Sequence, residues 1–254
     1  MNNHRRRPFQ NLDAHAWQNL ALAAIFTLYL AQTGYALFTN DLFNTLGLDY
    51  RAFWSVGRIA NTQGYPYIYD LQLQAKIQQP IAQKTPDQDF LLNTSVFLPI
   101  FIFPFQVLGL LEVDFSFWLW TIVNLVGLIL YLQFFTQSVF GSRLPTRMMA
   151  FLLLGYPVFE NFFVGQVNVW LLICMGEFLR ATLNRKPLVA GLWLGGLMIK
   201  PQTLIIVIPA LLLNRSWRTL FSFICAASII LVISIALVGT GGMIQLTKLW
   251  LGYV

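Results

Sequence analysis

The chain has 254 residues, of which 57% are hydrophobic and only 10% are charged. Soluble domains carry about 25% charged residues, so the composition excludes an ordinary soluble enzyme and predicts an all-α polytopic membrane protein in a lipid bilayer. The formal net charge is +6. Anionic lipid and the inward placement of basic loops explain this charge. A nucleic acid partner is not expected, because no soluble surface of interleaved basic and aromatic residues is present.

Residue types exclude several kinds of site. The two histidines, His4 and His15, both lie near the N-terminus, which excludes Ser-His-Asp chemistry and leaves no metal-ligand spacing elsewhere. Neither a Walker loop nor a Gly-x-Gly-x-x-Gly fingerprint is present. Cys174 and Cys225 both fall inside apolar runs, so no disulfide can be inferred. We expect neither a metal nor a cofactor.

Residues 1–16 form a basic tail that contains Arg5-Arg6-Arg7. The apolar run 17–38 would make a helix of about 33 Å, which is enough to cross a hydrocarbon core of about 30 Å. Basic residues favour the cytoplasmic side of a first span, so we expect a cytoplasmic tail and an outer loop over 40–93. The remainder, 17–254, is then a single transmembrane domain.

The longest polar interval begins at Leu48 and predicts an amphipathic helix followed by a turn. Gly64 can adopt the left-handed conformation that ends a helix, and Pro66 prevents a restart. Two faces alternate at helical spacing, an apolar one with Ala52, Phe53, Val56, Ile59 and Ala60 and a polar one with Arg51, Ser55, Arg58 and Thr62. We expect this helix to lie in the membrane interface with its arginines toward phosphates or water.

Asp49 stands at the start of this helix, and two interpretations of it are open. The side chain could be the N-cap, because the exposed N–H groups and the helix dipole favour a negative charge there. Alternatively, the carboxylate is held at the membrane surface as a catalytic base. Position alone favours the N-cap.

A second surface helix is expected over 69–79, and a polar loop follows it as far as Asn93. Within this loop, Asp87-Gln88-Asp89 matches the Asp-x-Asp pattern with which nucleotide-sugar enzymes hold a metal ion. Beside a proline in a polar loop, such residues are more often only solvated. We therefore expect no metal site here.

The next two apolar segments, 94–111 and 115–135, are separated only by Glu112-Val113-Asp114. They form either a helical hairpin or a short re-entrant segment followed by one span. Pro99 and Pro104 are expected to kink the first segment.

The polar link over 137–147 carries Arg143 and Arg147. Simple counting of spans places this link outside, whereas its basic residues favour the cytoplasmic side. The topology between residues 94 and 147 therefore stays open.

Two apolar segments, 148–164 and 169–183, enclose the polar run Gly165-Gln166-Val167-Asn168. The amides of Gln166 and Asn168 could simply form hydrogen bonds with neighbouring helices, as is common in membrane bundles. Alternatively, they hold sugar hydroxyls in a cavity that is open to the outer face.

The apolar interval 187–213 is broken at Lys200-Pro201 and has basic residues at both ends. Each half has about 13 residues, or about 20 Å of helix, which is short of a full crossing. Because both basic ends favour the cytoplasmic side, we expect a hairpin of two short helices with Lys200 near its apex, in the outer half of the membrane. The Lys200 ammonium could snorkel to the interface, or it could neutralise a phosphate at the break.

Two further expectations concern the packing and the end of the chain. Three glycines in the first arm of the hairpin, Gly191, Gly195 and Gly196, would let it approach neighbouring helices closely. Residues 220–238 predict a span that leads outward, and Gly239-Thr240-Gly241-Gly242 is expected to open an outer loop.

Three motifs, in this order and at this spacing, resemble the membrane glycosyltransferases of the C-type fold (GT-C), and among them family 87. The first is Asp49-Tyr50-Arg51-Ala52-Phe53-Trp54, with Gly64-Tyr65-Pro66-Tyr67 behind it. The second is Gly165-Gln166-Val167-Asn168, and the third is Gly196-Leu197-Met198-Ile199-Lys200-Pro201. The resemblance covers nearly the whole chain and implies a GT-C-like transmembrane helix bundle with interfacial helices in the first outer loop.

The resemblance implies sugar transfer at the extracytoplasmic face of the plasma (inner) membrane. A hexose, often mannose, would move with inversion from a polyprenyl-phosphate donor to a glycan or lipid acceptor, and such a donor needs no nucleotide-binding domain. Carried over by motif, Asp49 would be the general base. The implied substrate-binding residues are Lys200, Gln166, Asn168, Arg51, Arg58 and Tyr67, of which Lys200, with Arg51 or Arg58, would stabilise the leaving phosphate.

Members of this family are longer and contain further spans, so the domain 17–254 is expected to be incomplete at its C-terminus. Two alternatives to the enzyme stay open: a transporter or flippase for a lipid-linked glycan, and an inactive truncated membrane scaffold. A transporter would use the same outer cavity and Lys200 without any covalent sugar transfer.

Overall fold

The computed structural model describes residues 14–39, 42–83 and 90–252. This part of the chain contains helices and no strand beyond an isolated bridge between Leu42 and Leu46, which confirms the all-α prediction. The α-helices are α1 (Ala14–Phe38), α2 (Leu48–Thr62), α3 (Leu71–Ala82), α4 (Phe103–Leu108), α5 (Val113–Phe140), α6 (Thr146–Leu153), α7 (Tyr156–Val164), α8 (Asn168–Leu183), α9 (Pro187–Gly196), α10 (Leu204–Leu213) and α11 (Trp217–Leu251). Short 3₁₀ helices occupy Tyr65–Tyr67, Pro99–Ile102, Leu197–Ile199 and Pro201–Thr203.

Among the described residues, three helices are long and apolar enough to cross a membrane: α1, α5 and α11. Helices α6 and α7 meet at an angle of 55°, and together they are long and apolar enough to form one broken span. The protein is therefore a multi-pass membrane protein, as its composition predicts.

Helices α6 and α7 run alongside α1 in the same direction. At their start, Arg147 Nη1 lies 2.5 Å from Nδ1 of His15. At the bend, the Tyr29 hydroxyl donates to the carbonyl oxygen of Leu154 at 3.1 Å, and the Tyr29 ring stacks on Phe159 with centroids 3.8 Å apart. These contacts bring the start of α1 and the start of α6 to one side of the molecule, and the end of each helix to the other.

The segment 94–111 does not form one arm of a membrane hairpin. It contains an extended stretch, the 3₁₀ helix Pro99–Ile102 and the six-residue α4. Pro99 and Pro104 lie in the first turns of these two short helices, so they begin helices and do not kink one. Helix α5, with 28 residues, makes the crossing alone. Of the two arrangements left open, the helical hairpin is excluded, and the short helical segment precedes a single long helix.

The apolar interval 187–213 forms two short arms, α9 and α10, that are interrupted at Lys200 as predicted. The two short 3₁₀ helices flank Lys200, whose backbone (φ −130°, ψ 82°) is not helical. The first arm, α9, packs closely on both neighbours: a Cβ on Gly191 would lie 2.6 Å from the Cβ of Ser222 in α11, and one on Gly196 would overlap Sγ of Cys174 in α8. The predicted role of these glycines is confirmed.

Helix α11 differs from the prediction, because no outer loop begins at Gly239. The chain kinks there (φ 70°, ψ 176°) and continues as helix to Leu251. Helix α11 contacts the 3₁₀ helices Tyr65–Tyr67 and Pro99–Ile102, and near its end Nε1 of Trp250 donates to the carbonyl oxygen of Val96 at 2.8 Å. A glycine run can therefore mark a bend as well as a loop.

Helix α3 corresponds to the helix predicted over 69–79. Its N-cap is Asp70, whose Oδ1 accepts hydrogen bonds from the backbone N–H groups of Gln72 at 2.9 Å and Leu73 at 3.1 Å. The Asp87-Gln88-Asp89 motif lies outside the described residues, as does most of the tail 1–16.

Helix α2 ends before Gly64 (φ 97°) as predicted, and Arg58 and Thr62 in its second half are exposed, but the first half of its polar face is buried. Arg51 and Ser55, which were expected to face water, are both 0% exposed. The reason is that the part of α2 around Arg51 and Ser55 is covered on both faces, by α4 and α5 on one and by α3 and residues 91–93 on the other. The amphipathic pattern separates the apolar face correctly but gives no information on what covers the polar one.

The crossing of α2 over α4 depends on glycine. A Cβ on Gly57 would overlap the backbone carbonyl of Phe105, and one on Gly109 would lie 2.8 Å from the backbone nitrogen of Arg58. Backbone atoms cannot move aside as a flexible side chain can, so this contact tolerates no side chain at Gly57.

We expect Gly57→Ala to lower the free energy of unfolding by about 1–3 kcal/mol, because the added methyl group separates α2 from α4. Thermal unfolding in detergent measures the loss. Gly127→Ala in α5 is the matched control, since nothing lies within 4 Å of a Cβ at that position. Equal melting temperatures for the two variants would contradict the close crossing.

Candidate functional site

Asp49 lies in the first turn of α2, and its side chain does not cap the helix. The N-cap is Gly47 (φ 78°), without a side-chain cap hydrogen bond. The Asp49 carboxylate instead accepts a hydrogen bond from Nδ2 of Asn93 at 2.9 Å (to Oδ1) and one from Nε2 of Gln166 (to Oδ2). The N-cap interpretation is therefore wrong, although the helix dipole still favours a negative charge at this position.

Lys200 reaches the same place from the break in the hairpin. Its ammonium donates to Oε1 of Gln166 at 2.7 Å and to Oδ1 of Asn168 at 2.9 Å. A lysine ammonium has three N–H donors, so these two bonds leave one donor and the positive charge for another partner.

The Gln166 amide lies between the Asp49 carboxylate and the Lys200 ammonium. Its nitrogen donates to Asp49 and its oxygen accepts from Lys200. Across the described ranges the ion pair that the structure contains is Arg180–Glu177, so Asp49 and Lys200 are joined through the amide and not by direct contact. We call Asp49, Gln166, Asn168 and Lys200 the Asp49–Lys200 group.

The turn between α7 and α8 holds the two amides of this group in place. Gly165 (φ 78°) turns the chain, and a Cβ there would lie 2.5 Å from the Cβ of Tyr50. Asn161, which is buried, accepts from the backbone N–H of Asn168 through its Oδ1 at 3.0 Å and from that of Gln166 through its carbonyl at 2.8 Å. The sequence signal for this support is an asparagine inside an apolar run, four residues before a glycine. It was not used in the sequence-based predictions.

Asn93 and Gln78 are a second support that the sequence reasoning missed. Asn93 donates from Nδ2 to the Leu48 carbonyl at 3.1 Å as well as to Asp49. The Gln78 side chain, which is fully buried, accepts from the backbone N–H of Asn93 at 3.2 Å and donates to its carbonyl at 2.8 Å. These bonds fix the loop from which Asn93 orients the carboxylate.

Three residues implied by the family resemblance, Arg51, Arg58 and Tyr67, form no hydrogen bond with the Asp49–Lys200 group in the part of the chain that the structure describes. Arg51 is buried. It donates to Oδ1 of Asn44 at 3.2 Å and to the Leu91 carbonyl at 2.6 Å, and burial lowers the pKa of its guanidinium. Its contacts are those of a residue that links the segment before α2 and the segment after α3 to α2.

Arg58 and Tyr67 also lie apart from the group. Arg58 is nine residues after Asp49, which places it about 13 Å farther along α2 and on the opposite side of the helix. It donates to the Gly109 carbonyl at 3.0 Å. Tyr67 is 52% exposed in the 3₁₀ helix after α2.

The Asp49–Lys200 group is partly exposed. Asp49, Gln166 and Lys200 are half-buried, and Asn168 is exposed. Five clefts of about 360–510 Å³ are lined by other residues. Nowhere in the described ranges do three histidine, cysteine or acidic side chains come together as a metal site.

Chemically, the group presents a carboxylate held by two amide donors and, across one amide, an ammonium with a free N–H. A carboxylate can take a proton, and an ammonium can stabilise an anion on the far side of a reacting bond. The arrangement therefore suits a reaction in which one group loses a proton while another leaves as an anion.

Comparison with known proteins identifies the family of the chain. A search of curated proteins and a search of solved structures each found no match. The sequence model of glycosyltransferase family 87 matches residues 97–254, more than half of the chain. The matched stretch includes Gln166, Asn168 and Lys200, whereas Asp49 precedes it. The chain therefore belongs to glycosyltransferase family 87, and the protein is a membrane glycosyltransferase.

Proposed function

We propose that the protein transfers a hexose, by resemblance mannose, from a polyprenyl-phosphate donor to a hydroxyl group of a glycan or lipid acceptor, with inversion at the anomeric carbon. The observation that carries the proposal is the approach of Asp49 and Lys200, which are far apart in the chain, to the two ends of the Gln166 amide. One side chain can take up the proton and the other can stabilise the leaving group.

In the proposed step, Asp49 is the general base. The acceptor hydroxyl gives its proton to the carboxylate while its oxygen attacks the anomeric carbon. The bond from that carbon to the phosphate oxygen breaks, and its electron pair stays on the phosphate. Asn93 and Gln166 each occupy one acceptor site on a carboxylate oxygen, and a carboxylate has about four such sites, so the proton can be accepted without breaking either bond.

Lys200 stabilises the leaving group in this proposal. The donor phosphate is a diester with one negative charge, and polyprenyl phosphate leaves with a second. A cation placed at the developing charge lowers the energy of the transition state more than that of the ground state. The free N–H of Lys200 can donate to the phosphate, while Gln166 and Asn168 lie beside the position of the sugar.

The surroundings of Lys200 are compatible with a lipid-linked donor. Helix α10 begins four residues after Lys200, and its residues Ile205 and Ile206 are 70% and 80% exposed. A polyprenyl chain can lie on such an apolar face while its phosphate reaches the ammonium. The donor needs no separate nucleotide-binding domain.

We further propose that the N-terminus is cytoplasmic and that the site faces the extracytoplasmic side of the plasma (inner) membrane. The start of α1 and Arg147 lie on one side of the molecule, and α5 leads from the Asp49 side to the link that carries Arg143. Helix α8 likewise leads from the Asp49–Lys200 group to Arg185 and Lys186. Basic loops favour the cytoplasm, so the group would face the opposite side.

Asp49→Asn should lower kcat/KM for sugar transfer by about 10²- to 10⁴-fold, because an amide cannot accept the proton. The measurement is radiolabelled sugar transfer from polyprenyl-phosphate mannose in proteoliposomes. Asp114→Asn, which removes the same charge from an exposed first-turn position of α5, should remain close to wild type. Unchanged turnover in Asp49→Asn would rule out Asp49 as the base. Donor movement across the bilayer without covalent transfer would favour the transporter alternative.

Lys200→Met should lower kcat by about 10²- to 10³-fold, since the leaving phosphate loses its counter-charge. Lys200→Arg keeps the charge and should recover part of the rate. Lys248→Met removes an exposed lysine of α11 and is the control. Equal kcat and equal donor affinity in Lys200→Met and the wild-type protein would remove the proposed role.

A further inference from the structure

A groove separates α2 from α3 on the side of α2 that faces away from Asp49. It has a volume of about 490 Å³, and its floor is mostly apolar, with Trp54, Leu73, Ile77 and Ile81 among the lining residues. The charged residues in its lining are Arg58 and Lys76, and both are basic and exposed. The groove thus combines an apolar floor with a positive rim.

The groove opens at the level where a span begins. Arg58 donates to the Gly109 carbonyl at 3.0 Å, and Nε1 of Trp54 donates to the Leu111 carbonyl at 3.2 Å. Both carbonyls lie just before Val113, the first residue of the 28-residue α5. Tryptophan and arginine at the end of a span lie at the depth of the lipid headgroups.

The surface beside the groove is apolar and exposed. Phe103, Val107 and Leu110, in and just after α4, are 62%, 53% and 66% exposed. Together with the start of α5, they form a surface that hydrocarbon chains can cover. A ligand in the groove would therefore have its polar end at the rim and its apolar part continuous with the bilayer.

The charge of Arg58 is available to such a ligand. The guanidinium has five N–H donors, one of which is used for Gly109, and it lies 6.0 Å from the centre of the Trp54 ring. Glu112 and Asp114 line an adjoining cleft that also includes Arg58, but within the described residues neither approaches it as an ion pair. The two basic side chains of the groove itself have no acidic residue beside them in its lining.

We propose that this groove binds one anionic phospholipid of the bilayer. Its phosphate lies between Arg58 and Lys76, and an acyl chain lies on Trp54, Ile77 and Ile81. A negative headgroup complements the two cations, and the apolar floor excludes a free phosphate as the preferred ligand. This lipid would hold α2 and α3, and with them the loop that carries Asn93, at a fixed depth. The proposal does not depend on the sugar donor or on Asp49.

Native mass spectrometry tests the proposal with phosphatidylglycerol and phosphatidylcholine that carry identical acyl chains. The purified full chain should retain phosphatidylglycerol in preference to phosphatidylcholine. Each basic residue near an anionic headgroup contributes about fivefold to binding, so Arg58→Gln and Lys76→Gln should each reduce the preference about fivefold and the double variant about thirtyfold. Lys248→Gln, with the same charge change outside the groove, should keep the wild-type preference.

Two outcomes would overturn the proposal. One is a wild-type preference in the double variant, or an equal loss in Lys248→Gln, because general charge and not the groove would then attract the lipid. The other is a dimer, bound without lipid, that dissociates in the double variant, because a second copy of the chain would then fill the groove. The thermal stability of each variant shows that a changed preference is not due to unfolding.

Discussion

The candidate site depends on one amide, that of Gln166, which lies between the Asp49 carboxylate and the Lys200 ammonium. An amide is suited to this position because it donates at one end and accepts at the other, and Asp49 and Lys200 require opposite partners. A charge in a largely apolar protein is costly unless it is hydrogen-bonded. Each of the two charges is satisfied by amides, so Asp49 and Lys200 lie at the two ends of Gln166 without forming an ion pair.

The rest of the fold brings three distant segments to this amide. Helix α2 carries Asp49 and is held by the backbone contact at Gly57. The turn after α7 is fixed by Asn161 and by the hydrogen bond from the Gly47 N–H to the Phe163 carbonyl at 2.7 Å. The break at Lys200 ends a short helix that packs on α8 and α11 through glycine. The polar side chains that meet there lie at the start of a helix, in a turn or at a break.

Local patterns were sufficient to predict much of this arrangement. The helix from Leu48, its end at Gly64 and the break at Lys200 each follow from neighbouring residues, and the structure confirms them. The partners of Asp49 could not be predicted in this way, because Asn93 is fixed by Gln78, and neither residue forms a recognisable motif. Burial of Arg51 and the continuation of α11 past Gly239 also depend on contacts between segments that are distant in the chain.

The meeting of Asp49 and Lys200 is tested most directly by cross-linking in native membranes. With Cys174 and Cys225 replaced by serine, the pair Asp49→Cys and Lys200→Cys should be linked by a short bifunctional thiol reagent and identified as joined peptides by mass spectrometry. The pair Arg58→Cys and Lys200→Cys, with Arg58 about 13 Å farther along α2 and on its other side, should give little product. A high yield in the first pair alone is the predicted result. No product in the first pair, or equal yields in both, would contradict the account.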